Sequence, residues 1–127
     1  MIGGARSDAA DGRRPLLIVT GLPQEARIAA GPGMTVICSS SDPGQLRSQL
    51  GDFDPSSVRG IISFGVAGGL DPVLATGDIV VATEVVIGGG RWAAAAGLSG
   101  ELIGAVGDGS RRIVRGILAG SEVVVPS

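Results

Sequence analysis

Three short apolar runs, PLLIVTGL (15–22), MTVICSS (34–40) and VRGIISFG (58–65), alternate with two segments that have proline near their start and glycine at their end. This alternation constrains the fold more than any other feature of the chain. A continuous apolar run closed by glycine reads as a buried strand entering a loop. In PQEARIAAG (23–31), Pro23 suits a first helical turn, Glu25 favours the positive helix end, and Gly31 is a stop. In SDPGQLRSQLG (41–51), Asp42 is placed to cap the helix that Pro43 begins. Leu46 and Leu50 then share one face, and Gly51 ends the segment. Strand, helix, strand, helix, strand predicts a layered α/β sheet. The third run is apolar almost throughout and is expected to be a central strand.

The second half departs from that order. GDIVVATEVVIG (77–88) reads as a long fourth strand, joined to the third through the short GLDPVLATGD connection, so a mixed sheet is expected. Leu98, Leu102, Ile103 and Val106 have helical spacing over 98–107, with Ser99 as a candidate cap. RRIVRGILAG (111–120) reads as a fifth strand, and SEVVVPS (121–127) as a sixth strand or a strand end. Only two phenylalanines and one tryptophan are present, so Val, Ile, Leu and Ala must build the core, which suits parallel strands buried on both faces. Residues 1–14 read as a flexible N-terminal tail and 15–127 as a single folded portion, with no linker wide enough to divide it. The apolar run just before Pro126 has no helix after it to cover it; a partner subunit or further chain is expected there.

Composition removes several classes of function. Hydrophobic residues make up 44% and charged residues 17% of the 127, which supports a buried core rather than disorder. The ten basic residues are all arginine, and beyond the doublets Arg13-Arg14 and Arg111-Arg112 they form no basic face, so nucleic acid is not an expected partner. There is no histidine, and Cys38 is the sole cysteine. A zinc site and a disulfide framework are therefore not expected, and a reducing, cytoplasmic setting is. No apolar stretch reaches the roughly 20 residues that span a bilayer.

The turn GVAGG (65–69) raises the functional question. Gly65, Gly68 and Gly69 leave the main chain bare, as a close-lying ligand or tight packing would require. A dinucleotide fingerprint needs G-x-G-x-x-G between a strand and a helix; this turn has another spacing and leads to a strand. A phosphate-binding P-loop needs a lysine, and the chain has none.

SFGVAGGLDPVLATGDIVVATEVV resembles the central signature of the nucleoside phosphorylase/nucleosidase superfamily, which includes purine and uridine phosphorylases and methylthioadenosine/S-adenosylhomocysteine nucleosidases. Gly65, Ala67, Gly68, Gly69, Leu70, Asp71, Pro72, Gly77, Asp78, Val80, Val81 and Glu84 stand where that pattern wants them. IVTGLPQEARIAAG is similar to the early strand and loop of these enzymes, and GLPQEARIA with SDPGQLRSQL looks closest to the hopanoid-associated phosphorylase branch. The resemblance runs from about Leu16 to Ala119. It implies a three-layer α/β fold with a mixed central sheet, of which this chain carries the N-terminal portion. The later Met-Glu ribose-binding segment and purine-binding Asp of the family have no counterpart in the 127 residues.

The resemblance also implies a reaction: cleavage of the N-glycosidic bond of a purine nucleoside-like substrate bearing an adenosyl group, with adenosyl-hopane as one candidate. The attacking species is phosphate or water, and no cofactor is implied beyond inorganic phosphate as a co-substrate. Such chemistry must protonate a leaving base, stabilise a cationic sugar and position the nucleophile. Glu25 is the candidate catalytic residue, with an uncertainty of one position that would place the role at Ala26. Gly21, Gly65, Val66, Ala67, Gly68, Gly69 and Glu84 are candidate substrate contacts, and Arg27, Ser39 and Ser40 candidate phosphate contacts. Each has a plainer reading: a first-turn carboxylate, a solvated helix arginine, turn-capping hydroxyls and, for Glu84 inside its apolar strand, a buried carboxylate held by hydrogen bonds. Val66 departs from the polar small residue usual at its position, and valine's side chain can neither donate nor accept. Trp92 could line a pocket or an interface. Family members are expected to form homo-oligomers around small-molecule nucleosides. The rival expectation is a non-catalytic remnant that binds nucleoside or only oligomerises.

Overall fold

The computed structural model describes residues 14–40, 42–106, 109 and 111–120. The chain divides after Val66 into two compact units. Expectations for residues 1–13, Ser41 and 121–127 lie outside the described residues. Strand β1 (Leu16–Thr20) leads through helix α1 (Pro23–Ala29) to β2 (Met34–Cys38), then through α2 (Pro43–Gly51) and a short 3-10 turn (Pro55–Ser57) to β3 (Gly60–Ser63). Both connections contain a helix, as parallel neighbours require. The sheet is parallel throughout in the order β2-β1-β3, with Thr20 opposite Cys38 and Val19 opposite Ser63.

The first strand, not the third, is central. Leu16, Leu17 and Ile18 are buried, and Leu17 is fully so, which is why this stretch of sequence is uniformly apolar. The expectation that 58–65 forms a central strand is corrected: β3 is an edge of this sheet, with alternating exposure, and Ile61 is exposed. Apolar composition indicated burial on both faces, but hydrogen-bonding neighbours decide centrality. Asp42 caps α2 as expected, its Oδ1 accepting from the amides of Gly44 and Gln45 at 2.9 and 3.3 Å.

The second unit holds β4 (Ile79–Ile87), β5 (Gly90–Ala93), α3 (Ala96–Val106) and β6 (Ile113–Gly120). Its sheet order is β5-β4-β6, antiparallel on one side and parallel on the other, so it is the mixed sheet anticipated from the sequence. Strand β5 was not anticipated. It follows a two-residue Gly88-Gly89 turn in which Gly88 has φ +57°, a conformation side chains resist. Ser99 is not the cap of α3: the helix starts earlier, and the Ser99 hydroxyl donates to the Ala82 carbonyl at 3.5 Å, tying α3 to β4. The 71–78 connection is held by turn chemistry. Asp71 accepts from the Val73 amide at 3.0 Å, and Asp78 from the Ala75 amide at 2.9 Å and from Arg112. That Arg112 hydrogen bond is the main reason the Asp78 carboxyl lies below its ordinary range. Each unit combines a three-stranded sheet with at least one helix, so both are α/β.

Candidate functional site

Because β1, β2 and β3 are parallel, their carboxyl ends share one edge of the first sheet. Gly21 and Leu22 leave β1 there, Ser39 and Ser40 leave β2, and Phe64 to Val66 leave β3. Crevices outside the carboxyl ends of parallel strands are the usual ligand positions of open α/β sheets. The fold therefore brings Gly21, Glu25, Ser39, Ser40, Gly65 and Val66 to one rim. Ala67, Gly68, Gly69 and Glu84 belong to the second unit.

Glu25 organises this rim. It stands in the first turn of α1, and only 9% of its surface is exposed. Its Oε1 accepts from the Gly21 and Leu22 amides at 3.1 and 3.0 Å, and its Oε2 accepts from the Val66 amide at 3.0 Å. The Leu22 bond is the half of a capping box that a glutamate can supply; leucine has no acceptor to return the other half. The Val66 bond is of another kind, since it spans 41 positions and joins the chain after β3 to the first turn of α1. Three of the carboxylate's roughly four acceptor positions are thereby occupied.

The bareness of Gly65 has a local cause. A Cβ at residue 65 would stand 2.6 Å from Glu25 Oε2 and 2.9 Å from its carboxyl carbon, closer than real contacts allow. It is the chain's own carboxylate that comes against the backbone here. At Gly68 nothing lies within 4 Å of such an atom, and at Gly69 Leu74 lies at an ordinary 3.4 Å. Packing thus explains the first glycine and leaves the second facing open space. Val66 is 85% exposed, and its amide is already engaged with Glu25.

The other candidates separate. Ser39 is buried, its hydroxyl donating to the Thr20 carbonyl at 3.5 Å, while Ser40 is exposed with φ +51°. Thr20, which sequence reading did not single out, is also buried and donates to the Ile37 carbonyl at 3.1 Å, closing the β1–β2 edge. Arg27 is exposed on α1, and a spacing of two residues points it to a different side of the helix from Glu25. Glu84 is not a buried carboxylate: its side chain is 31% exposed and pairs with Arg91 on β5 at 2.7 Å. An ion pair this accessible contributes about 0–1 kcal/mol. Trp92 is exposed and packs against Gly90.

The Val66 amide is the main influence holding the Glu25 carboxyl below its ordinary value of 4.5; burial opposes it, and the Leu22 and Gly21 amides reinforce it. A carboxyl lowered in the folded state releases its proton more readily there than when unfolded. Its stabilisation is therefore complete above the unfolded value and is lost as pH falls through the folded one. Asp54 and Asp78 are lowered too, so Glu25 is isolated by comparison with Glu25→Gln. Urea unfolding of the two proteins should differ most above about pH 5 and converge as pH falls below the ordinary value of 4.5. A difference that grows with acid would contradict the geometry.

Residues 48–96 match the family model of the phosphorylase superfamily, a stretch that contains the Gly65–Gly69 turn and Glu84. No curated protein sequence and no solved structure matches the chain. Among the described residues no group of three or more His, Cys, Asp or Glu could hold a metal ion, and no helix is long and apolar enough to cross a membrane.

Proposed function

We propose that the chain binds a purine nucleoside-type ligand along the main chain that follows β3, and that its reaction class is N-glycosidic cleavage. The match of residues 48–96 to the phosphorylase superfamily carries this reading. Support comes from the shared carboxyl edge of three parallel strands, where β3 delivers Gly65 and Val66. An adenosyl group is the proposed ligand portion, with adenosyl-hopane as the specific candidate and homo-oligomers as the proposed assembly. The basis for the hopanoid branch is the likeness of GLPQEARIA and SDPGQLRSQL.

One observation favours a second reading, in which the chain binds nucleoside without turning it over. Glu25 is the proposed catalytic carboxylate, yet both its oxygens face amides, whereas a general base must reach the proton it removes. Incubation with adenosine, with and without inorganic phosphate, separates the readings by chromatography of free adenine. Release that requires phosphate indicates phosphorolysis, and release without it indicates hydrolysis. Saturable adenosine binding without release supports the binder. Neither binding nor release removes both.

A further inference from the structure

We infer that Glu25 is a positioning residue for the nucleoside seat proposed above, on which reading this inference rests: it clamps the Gly65–Val66 main chain to the loop that leaves β1. Three observations carry it. The carboxylate gathers amides from two segments far apart in sequence, Gly21-Leu22 and Val66. Bonds from amides to a charged carboxylate are stronger than those between neutral groups, and sharing one carboxylate fixes the segments relative to each other.

The second observation is that side-chain packing does not perform this task. Gly21 and Gly65 have no side chain to bury, Leu22 is 42% exposed and Val66 is 85% exposed. With so little side-chain burial at these positions, the carboxylate extends the tie that the Phe64 amide begins by donating to the Val19 carbonyl of β1 at 2.9 Å, and it fixes the two residues beyond that bond. The third is the missing Cβ at Gly65, which opens the place the carboxylate fills. A residue held in this way is poorly suited to moving a proton, because turning toward a water would break at least one of its bonds. It is well suited to presenting a fixed stretch of backbone to a flat ligand. The same arrangement keeps the Val66 amide from the ligand, so at this point recognition would fall to the Val66 side chain and the Gly65 carbon and carbonyl.

The test uses the whole chain and two variants. Glu25→Gln keeps the shape but turns either a donor toward the Val66 amide or one toward those of Gly21 and Leu22. Glu25→Asp keeps the charge but is one methylene shorter, so it cannot reach both segments. Amide hydrogen exchange and amide proton shifts are followed by NMR, and adenosine affinity by calorimetry. We expect exchange to accelerate roughly tenfold or more in both variants at one of the two segments, Val66 or Gly21-Leu22, with the proton shifts there moving upfield, since a bond to a charged group is lost. Protection of the β1 amides should be retained, which reports that the fold persists. Adenosine affinity should fall roughly tenfold, the loss of one such bond's worth of ordering. Unchanged exchange and shift at Gly21, Leu22 and Val66 in both variants would overturn the clamp. Loss of the clamp with unchanged adenosine affinity would overturn the positioning role. If the unaltered chain takes no adenosine, the proposed function falls and the positioning role with it; exchange at these three amides then tells that failure from a failed clamp.

Discussion

Gly65→Ala is expected to destabilise the chain by about 1–3 kcal/mol, the cost of breaking hydrogen bonds to a charged, buried group. The added methyl carbon would lie 2.6 Å and 3.0 Å from the two carboxylate oxygens of Glu25. Gly65 is not among the residues with positive φ, so alanine meets no backbone strain there. The carboxylate is the flexible partner and would swing away, releasing the amides of Gly21, Leu22 and Val66 in proportion. The cost must therefore depend on what stands at residue 25. In a Glu25→Ala background the obstacle is gone, and Gly65→Ala should be neutral or stabilising by about 0.4–1 kcal/mol through the unfolded chain. Residues in direct contact depart from additivity by about 0.5–3 kcal/mol, and the coupling here should lie in the upper part of that range. Urea melts of the four proteins in this cycle measure it. Equal costs in both backgrounds would mean that the carboxylate is not where the geometry puts it.

Leu17→Ala should have the largest effect of any single truncation on the first sheet, about 2–5 kcal/mol. Leu17 is fully buried in the central strand, between Thr35 of β2 and Ile61 of β3 in register. Removing its side chain leaves a cavity where both neighbours and the helical layer converge. Ile61→Ala on the edge strand is the matched control. Ile61 is 57% exposed, so its loss should cost under about 1 kcal/mol. Thermal melts that rank the two the other way round would contradict the placement of β1 at the centre.

The ranking of those two residues marks where the sequence was informative. Pro23, Gly31, Asp42, Pro43 and Gly51 act within a few residues of where they stand, so both helices of the first unit were legible within two residues. A mixed sheet was expected from the short connection between β3 and β4, but those strands lie in different sheets and the antiparallel pair is the β4–β5 hairpin. The order β2-β1-β3 was not legible, because PLLIVT and GIIS look alike until hydrogen-bonding neighbours are known. Strand β5 hid behind three glycines, although a Gly-Gly pair after a β-branched run is itself a hairpin signal. Ser99 misled because a hydroxyl near a helix start is as able to bond a neighbouring strand as to cap.

The candidate site was half legible. Glu25 and Gly65 were each singled out, and the strand ends that carry them could be placed. Their mutual contact could not be, since it depends on β3 folding back beside β1 across the whole of β2 and α2. Glu84 shows the converse case. Its apolar neighbours in GDIVVATEVV suggested burial, but cross-strand Arg91 and an exposed sheet face give it an ordinary ionic partner.

The most direct measurement is an adenosine titration of the uniformly nitrogen-15-labelled chain, read amide by amide. Saturable shifts are expected at Gly65 and Val66, with the buried amides of Leu16, Leu17 and Ile18 unmoved. Saturable binding with every shift elsewhere, or no shift at those two amides at any concentration, would contradict the proposed seat.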